Sequence, residues 1–471
     1  MKSLFRTKSL ESIIESAKNS KLKKSLGIFD LIFIGIGSII GTGIFVLTGQ
    51  AAANYAGPAI SISFILAALV CVFAGLAYAE LASMIPISGS AYTYTYGIMG
   101  EFIAWLVACG LILEYTVASS TVSAGWSGYL VGILQQSNVI IPEYLTKAPS
   151  QVCSDQTYCG IINLPAVCIS SFIGLLLFIG TKESIMLNRI LVSIKLTVIF
   201  IFLYIATPII NTQNYSNFMP FGWNGVFTGA AAIFFAYLGF DAVATTAEEC
   251  KNPKRDLPIG LIGALLICAV IYVLVSLALT GISHYSTLNN PQPLASALRE
   301  NGNNIGSALV GTGAIAGMVT VLLVMMYGQS RIFFAISRDG LLPKFFTKTH
   351  SKYQTPYISV IITTFAVALI SGFTPIRTMG DMSSIGTLFA FLIVSIGVVV
   401  LRITNPQAKR SFKCPAVFMV SALSVFGCGF LIYKLLIEHY LPFLIWFAFG
   451  ILFYALYSYK NSLLNSKNVA K

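Results

Sequence analysis

Apolar residues gather in long runs, and charged residues fall almost entirely between them. A helix needs about 20 residues to cross a hydrocarbon core roughly 30 Å thick. Twelve runs approach or exceed that length, at 28–50, 57–82, 98–131, 161–181, 189–208, 225–246, 258–282, 305–336, 356–374, 382–402, 415–435 and 439–459. The pattern predicts an all-α integral membrane protein with 12 transmembrane helices. The first run follows a basic amphipathic stretch and shows no small-residue cleavage site, so it reads as a retained span rather than a signal peptide.

Composition agrees with the pattern. Of 471 residues, 56% are hydrophobic and only 10% charged, where a soluble domain carries roughly a quarter charged residues. A soluble enzyme, a nucleic-acid binder and a secreted disulfide scaffold are therefore disfavoured. The net charge of +12 takes on meaning once it is sorted by loop. With the N-terminus inside, the tails and even-numbered connections hold 24 of the 29 Lys and Arg. Only Lys147, Arg299, Arg377 and Lys434 fall outside, and Lys195 is left within the fifth span. That asymmetry predicts both termini in the cytoplasm. Lys18, Lys21, Lys23 and Lys24 read as an orientation signal, with lipid-headgroup binding as a lesser alternative.

Two spans carry helix-breaking sequence midway. The first reads Gly35-Ile36-Gly37-Ser38-Ile39-Ile40-Gly41-Thr42-Gly43-Ile44-Phe45. Glycine weakens a helix interior by up to about 1 kcal/mol per residue, and an unwound backbone at that depth is tolerable only where it lines a cavity. Its free amides and helix N-terminus would suit a carboxylate. Close packing of small residues, with Gly37 and Gly41 at four-residue spacing, is the competing reading. The sixth span supplies a counterpart in Phe234-Phe235-Ala236-Tyr237-Leu238-Gly239-Phe240-Asp241. Breaks in the first member of each of two five-span units point to an inverted-repeat transporter with its site at the midplane. The units would span 28–208 and 225–402, with 415–459 added outside them, a basic tail at 1–27 and a C-terminal tail at 460–471.

Ionisable groups within spans are functional candidates by default. Glu114 lies about halfway along the third span and reads either as a substrate or coupling contact or as a structural hydrogen bond to a neighbouring helix. Lys195 lies six residues into the fifth span. It could snorkel to the headgroups, or its ammonium could sit against carbonyls of a broken helix and exchange a proton during transport. Asp30 and Glu80, near cytoplasmic ends, read as gate or helix-end partners, and Asp241 as a structural residue. The turns at 248–258 and 330–344 read as structural or gating elements.

Cys71, Cys109, Cys168, Cys268 and Cys428 fall in apolar runs as small packing residues. Cys153 and Cys159 share an outside loop where a disulfide could form. Three scattered histidines argue against a metal site. No Gly-x-Ser-x-Gly, His-Glu-x-x-His or phosphate-binding loop motif occurs, so no catalytic centre and no cofactor are expected.

These residues resemble the amino acid–polyamine–organocation superfamily, and most of all the bacterial members of its cationic amino acid transporter family. The matching pieces are 36–45, Tyr78-Ala79-Glu80-Leu81, Pro86 with Gly89-Ser90-Ala91-Tyr92, 235–241, Asn252-Pro253-Lys254-Arg255-Asp256-Leu257-Pro258 and Ser337-Arg338-Asp339-Gly340-Leu341-Leu342-Pro343. The resemblance implies a 5+5 inverted-repeat (LeuT-like) core in a cytoplasmic membrane, with substrate held between broken helices one and six. Carried over by position, the amides of Ile40, Gly41, Thr42 and Gly43 would hold a substrate carboxylate. Carbonyls near Phe235, Ala236 and Leu238 would take its ammonium, with Phe235 as an aromatic lid. Lys195 matches the lysine that stands, in proton-coupled relatives, where others hold sodium. Glu114, Tyr272 and Met325 are weaker candidates for the side-chain end of the pocket. The implied activity is proton-coupled amino acid import by alternating access, with amino acids, protons and the lipid bilayer as partners and nucleic acid excluded. Ion-independent exchange and a non-transporting nutrient sensor are the alternatives, although a sensor would be expected to carry a long soluble domain. Substrates are expected to be broad, cationic amino acids among them.

Overall fold

The computed structural model describes residues 6–8, 26–85, 90–149, 151, 160–180, 185–353 and 355–465. Cys153, Cys159 and the four lysines of the basic tail lie outside the described residues. The described residues are helical and form no β-strand, only two isolated bridges, Leu26 with Cys250 and Thr146 with Asn163.

The principal helices are α1 (Ile28–Ile39), α2 (Ile60–Met84), α3 (Glu101–Gln136), α4 (Leu164–Ile179), α5 (Ile185–Ala206), α6 (Gly222–Ile233), α7 (Pro253–Ile282), α8 (Asn304–Arg338), α9 (Tyr357–Phe373), α10 (Ile376–Thr404) and α11 (Val417–Phe453). Among the described residues, eight helical stretches are long and apolar enough to cross a membrane by length and composition. Two of these, Gly43–Met84 and Val417–Asn461, each contain more than one apolar run of the sequence. Local backbone separates the runs. In the first stretch the chain turns at Gly57, whose φ of +61 is a left-handed value that favours glycine, followed by Pro58. In the second, His439 leaves helical geometry (φ −126, ψ 26) three residues before Pro442.

Packing follows a rule in chain order. Helix α2 lies on α7, α3 on α8, and α4 on α9. Each partner comes five helices later. Helix α3 also packs along α10, and α11 covers α10. The bundle exposes large apolar side chains on its outside, among them Val270, Phe365, Phe426 and Phe449. With no water to satisfy backbone groups in a bilayer, a helical bundle of this kind is one of two architectures able to span it. Four of the five intramembrane cysteines are buried as packing residues, whereas Cys168 on α4 faces outward.

Candidate functional site

The break in the first span falls where the glycines place it. Helix α1 ends as Ile40 turns extended (φ −74, ψ 105), and its amide closes the helix by donating to the Ile36 carbonyl at 2.9 Å. Helix resumes as wide turns over Gly43–Leu47 and Ala52–Ala56, either side of Thr48–Ala51. The Ile40 amide is thus already engaged. Gly41, Thr42 and Gly43 open the second half, where the first amides of a helix have no carbonyl a turn earlier to receive them.

The carbonyls at the end of α1 are orphaned by the same interruption, and side chains from other helices reach them. Lys195 of α5 is fully buried, and its Nζ donates to the carbonyls of Gly37 (2.7 Å) and Ile40 (3.2 Å). Among the described residues it forms no ion pair. The snorkelling alternative is excluded by this geometry. A cation at a helix C-terminus also faces the negative end of the helix dipole. Tyr272 of α7 places its hydroxyl 3.0 Å from the Ile39 carbonyl and 2.9 Å from the Ala236 carbonyl.

The second break lies beside the first. Helix α6 gives way to a tight turn at Phe234–Tyr237, in which the Leu238 amide donates to the Phe235 carbonyl at 3.1 Å. Leu238 is then extended, and Gly239 takes φ +96. A side chain at Gly239 would meet the Ser38 carbonyl at 2.9 Å and the Met325 methyl at 3.0 Å. Ser38 Oγ donates to the Gly239 carbonyl at 2.8 Å, and Gly43 packs directly on Ala236. The structure therefore brings together Ile40, Gly41, Thr42, Gly43, Lys195, Phe235, Ala236, Leu238, Tyr272 and Met325, all of them buried.

Glu114 stands apart. It packs against Gly386 of α10, and its own backbone carbonyl accepts from Ser383 Oγ at 3.1 Å. Its carboxyl is buried, with the Thr387 hydroxyl of α10 beside it. The next residue, Tyr115, donates to Asp241 at 3.3 Å. Sequence reasoning missed Gln329, one turn after Met325 on α8. It is fully buried, and its amide is unbonded among the described residues. A polar side chain deep in an apolar run was the available signal.

A cavity of about 470 Å³ opens at the end of the bundle opposite the termini, lined in part by Val46, Gln50, Gly125, Asn163 and Gln292. It reaches the first break at Gly125, where an added Cβ would stand 2.5 Å from the Thr42 methyl and 2.9 Å from its hydroxyl. The terminal end is closed by buried charge. Glu80 of α2, wholly inaccessible, accepts from Arg402 (2.9 and 2.8 Å), Arg410 (3.1 Å) and the Cys414 amide (2.7 Å). Burial first, and then the Glu80 carboxylate, push the Cys414 thiol up to about 11. Asp339 binds Lys8 and Tyr92, each at 3.0 Å, and Asp30 pairs with Arg189. Glu101 accepts from Tyr454 at 3.0 Å and from Ser462.

Residues 26–457 match the family model described as amino acid permease. The chain is 44% identical over 465 residues to a branched-chain amino acid permease of Bacillus subtilis (strain 168), covering 98% of this chain and 99% of the relative. It is equally similar, 44% over 465 residues, to a methylthioribose transporter of the same organism, covering 99% and 100%. A vacuolar cationic amino acid transporter of Arabidopsis thaliana is 37% identical over 418 residues, covering 86% of this chain and 68% of the relative.

Proposed function

The chain belongs to the amino acid permease family, and from that premise we propose that it imports amino acids together with protons, by alternating access at the paired helix breaks. The observation that carries the reading is the meeting of the two interruptions, with a buried lysine on the carbonyls of one of them. The amides of Gly41, Thr42 and Gly43 take the substrate carboxylate, and the carbonyls of the 235–238 turn take its ammonium. Phe235 covers the pocket. Gly239 and Met325 leave an apolar end suited to an aliphatic side chain, consistent with a relative named for branched-chain amino acids.

Twelve crossings, both termini in the cytoplasm and a 5+5 inverted repeat (28–208 and 225–402) belong to the same proposal. The pairing of α2, α3 and α4 with the helices five positions later supports the repeat. The closed terminal end and the open opposite cavity fit a transporter whose substrate path is reached from outside. Lys195 carries the proton. Charged, it binds the Gly37 and Ile40 carbonyls and holds the end of α1 on α5; once neutral, it loses the charge that strengthens those bonds, and α1 is free to reorient.

Proteoliposome uptake tests the proposal. A panel of leucine, isoleucine, valine, arginine, lysine and methylthioribose is offered under imposed pH or sodium gradients. Amino acid accumulation driven by a pH gradient and lost in Lys195→Ala, with exchange of internal for external substrate retained, is the expected result. Accumulation by Lys195→Ala at the wild-type level removes the coupling role, and uptake of methylthioribose alone removes the substrate assignment. Uptake that responds only to internal amino acid supports ion-independent exchange instead.

A further inference from the structure

The far end of the bundle holds a cluster that the transport reading leaves unused. Helix α11 breaks at His439, and the loss of helical geometry there turns the imidazole toward α10. Its Nε2 lies 3.0 Å from Oδ2 of Asp381, a carboxylate buried near the start of α10. The preceding residue, Glu438, is half-exposed, and its Oε2 accepts from Arg377 at 2.5 Å. One ligand atom from each of Asp381, Glu438 and His439 lies within 4.8 Å of the others.

We propose that Asp381, Glu438 and His439 form a binding site for a divalent transition-metal ion, with Zn²⁺ the best match, on the face opposite the termini. One imidazole nitrogen and two carboxylate oxygens, with water in a fourth position, is a donor set zinc accepts at distances of about 2.0–2.2 Å. Calcium prefers six to eight oxygens and magnesium a near-ideal octahedron, and this cluster supplies neither. Around a tetrahedral ion the ligand atoms stand roughly 3.3 Å apart, so closing the cluster needs side-chain rotation at the exposed Glu438 rather than backbone movement. Sequence reasoning discounted a metal site because the histidines are scattered. It did not anticipate that one histidine would meet carboxylates from its neighbour and from a separate helix.

Arg377 competes with the metal. It holds Glu438, so the ion must take that carboxylate from the guanidinium, which keeps its place over the Tyr55 ring, 4.8 Å from the centroid. Tyr55 lies in the outer half of the first span, and Gly380, beside Asp381, packs on Leu47 of the same half. A bound ion would therefore tie α10 to the α11 break close to a segment that moves in the proposed cycle, and transport would slow.

Purified protein is titrated with Zn²⁺ against a chromogenic zinc indicator. One ion per chain at micromolar affinity is expected, weakened about tenfold or more in His439→Gln and in Glu438→Gln. Arg377→Ala is expected to bind a few-fold more tightly because the competing cation is gone. Millimolar Ca²⁺ or Mg²⁺ should leave the titration unchanged. Wild-type protein that binds no zinc at up to about 100 µM, roughly a hundredfold weaker than the expected affinity, overturns the proposal. So does equal binding by both glutamine variants, or X-ray absorption showing sulfur ligands. The binding readout is independent of transport, so its failure and the failure of the transport reading are separable.

Discussion

The two ends of the bundle, one closed and one open, hold their charges by different physics. At the terminal end, acids sit in the interior: Glu80 is fully buried among two arginines and an amide, and Glu101 accepts from Tyr454 and Ser462. At the far end Asp381 is buried against His439, but the Arg377–Glu438 and Lys147–Glu143 pairs lie near solvent beside an open cavity. A buried pair is poor at adding net stability, yet breaking it leaves an uncompensated charge and is expensive; an exposed pair is cheap both to form and to lose. One end is thus built as an all-or-none lock and the other, Asp381 apart, as a surface whose pairs exchange partners readily.

The largest effect should come from the lock. Glu80→Ala leaves Arg410, only 3% exposed, on backbone carbonyls alone without its counter-charge, and should cost roughly 3 kcal/mol, read as a lower melting temperature in detergent. A second readout accompanies it. With its thiol near 11, Cys414 should be about one part in a thousand thiolate at pH 8. Its alkylation should be slow, rise as pH approaches 11, and quicken at fixed pH once Glu80 is removed. Equal melting temperatures for Glu80→Ala and Glu438→Ala would end the distinction between the two faces.

Next is the path from the cavity. Gly125→Val drives a branched side chain into Thr42 and should weaken substrate binding by about tenfold, near 1.4 kcal/mol, measured by equilibrium binding, with the overpacking also lowering the melting temperature. Unchanged affinity would show that the cavity does not lead to the helix breaks. Asp339→Asn releases Lys8, about a third exposed, and weakens the bond from Tyr92. A cost of about 1 kcal/mol should move the balance roughly fivefold toward opening at the terminal end. Faster labelling of a Ser337→Cys variant by an impermeant thiol reagent in inside-out vesicles would report it. The smallest effect belongs to Arg377→Ala, whose pair is nearly half exposed at both partners; its stability should change by no more than about 1 kcal/mol.

Much of this was legible in the chain. Apolar runs located the helices, and the glycines at 41, 43 and 239 marked both interruptions, because irregular backbone at membrane depth survives only where protein or a cavity surrounds it. Lys195 was legible because its charge refused the sorting of all the others. What the chain concealed were partners distant in sequence. Glu80 meets Arg402 and Arg410 more than 300 residues later, and nothing local distinguishes them from other basic residues at the same membrane boundary. The hydroxyls of Tyr272 and Tyr129, which reach the carbonyls of Ile39 and Phe45, were hidden for a different reason. A tyrosine in an apolar run looks the same whether its ring or its hydroxyl matters.

Tyr272 has one hydroxyl proton and two carbonyls within reach, one from each interrupted helix. At any instant only one of them can be fully served. The two interrupted helices therefore share a single phenolic donor inside the protein. In the proposed transporter an incoming ammonium, with three protons to give, relieves that sharing and lets the tyrosine settle on a single partner. Recognition would then begin with one shared proton, and Tyr272→Phe, which takes the hydroxyl from both carbonyls, would remove the link between the two broken helices.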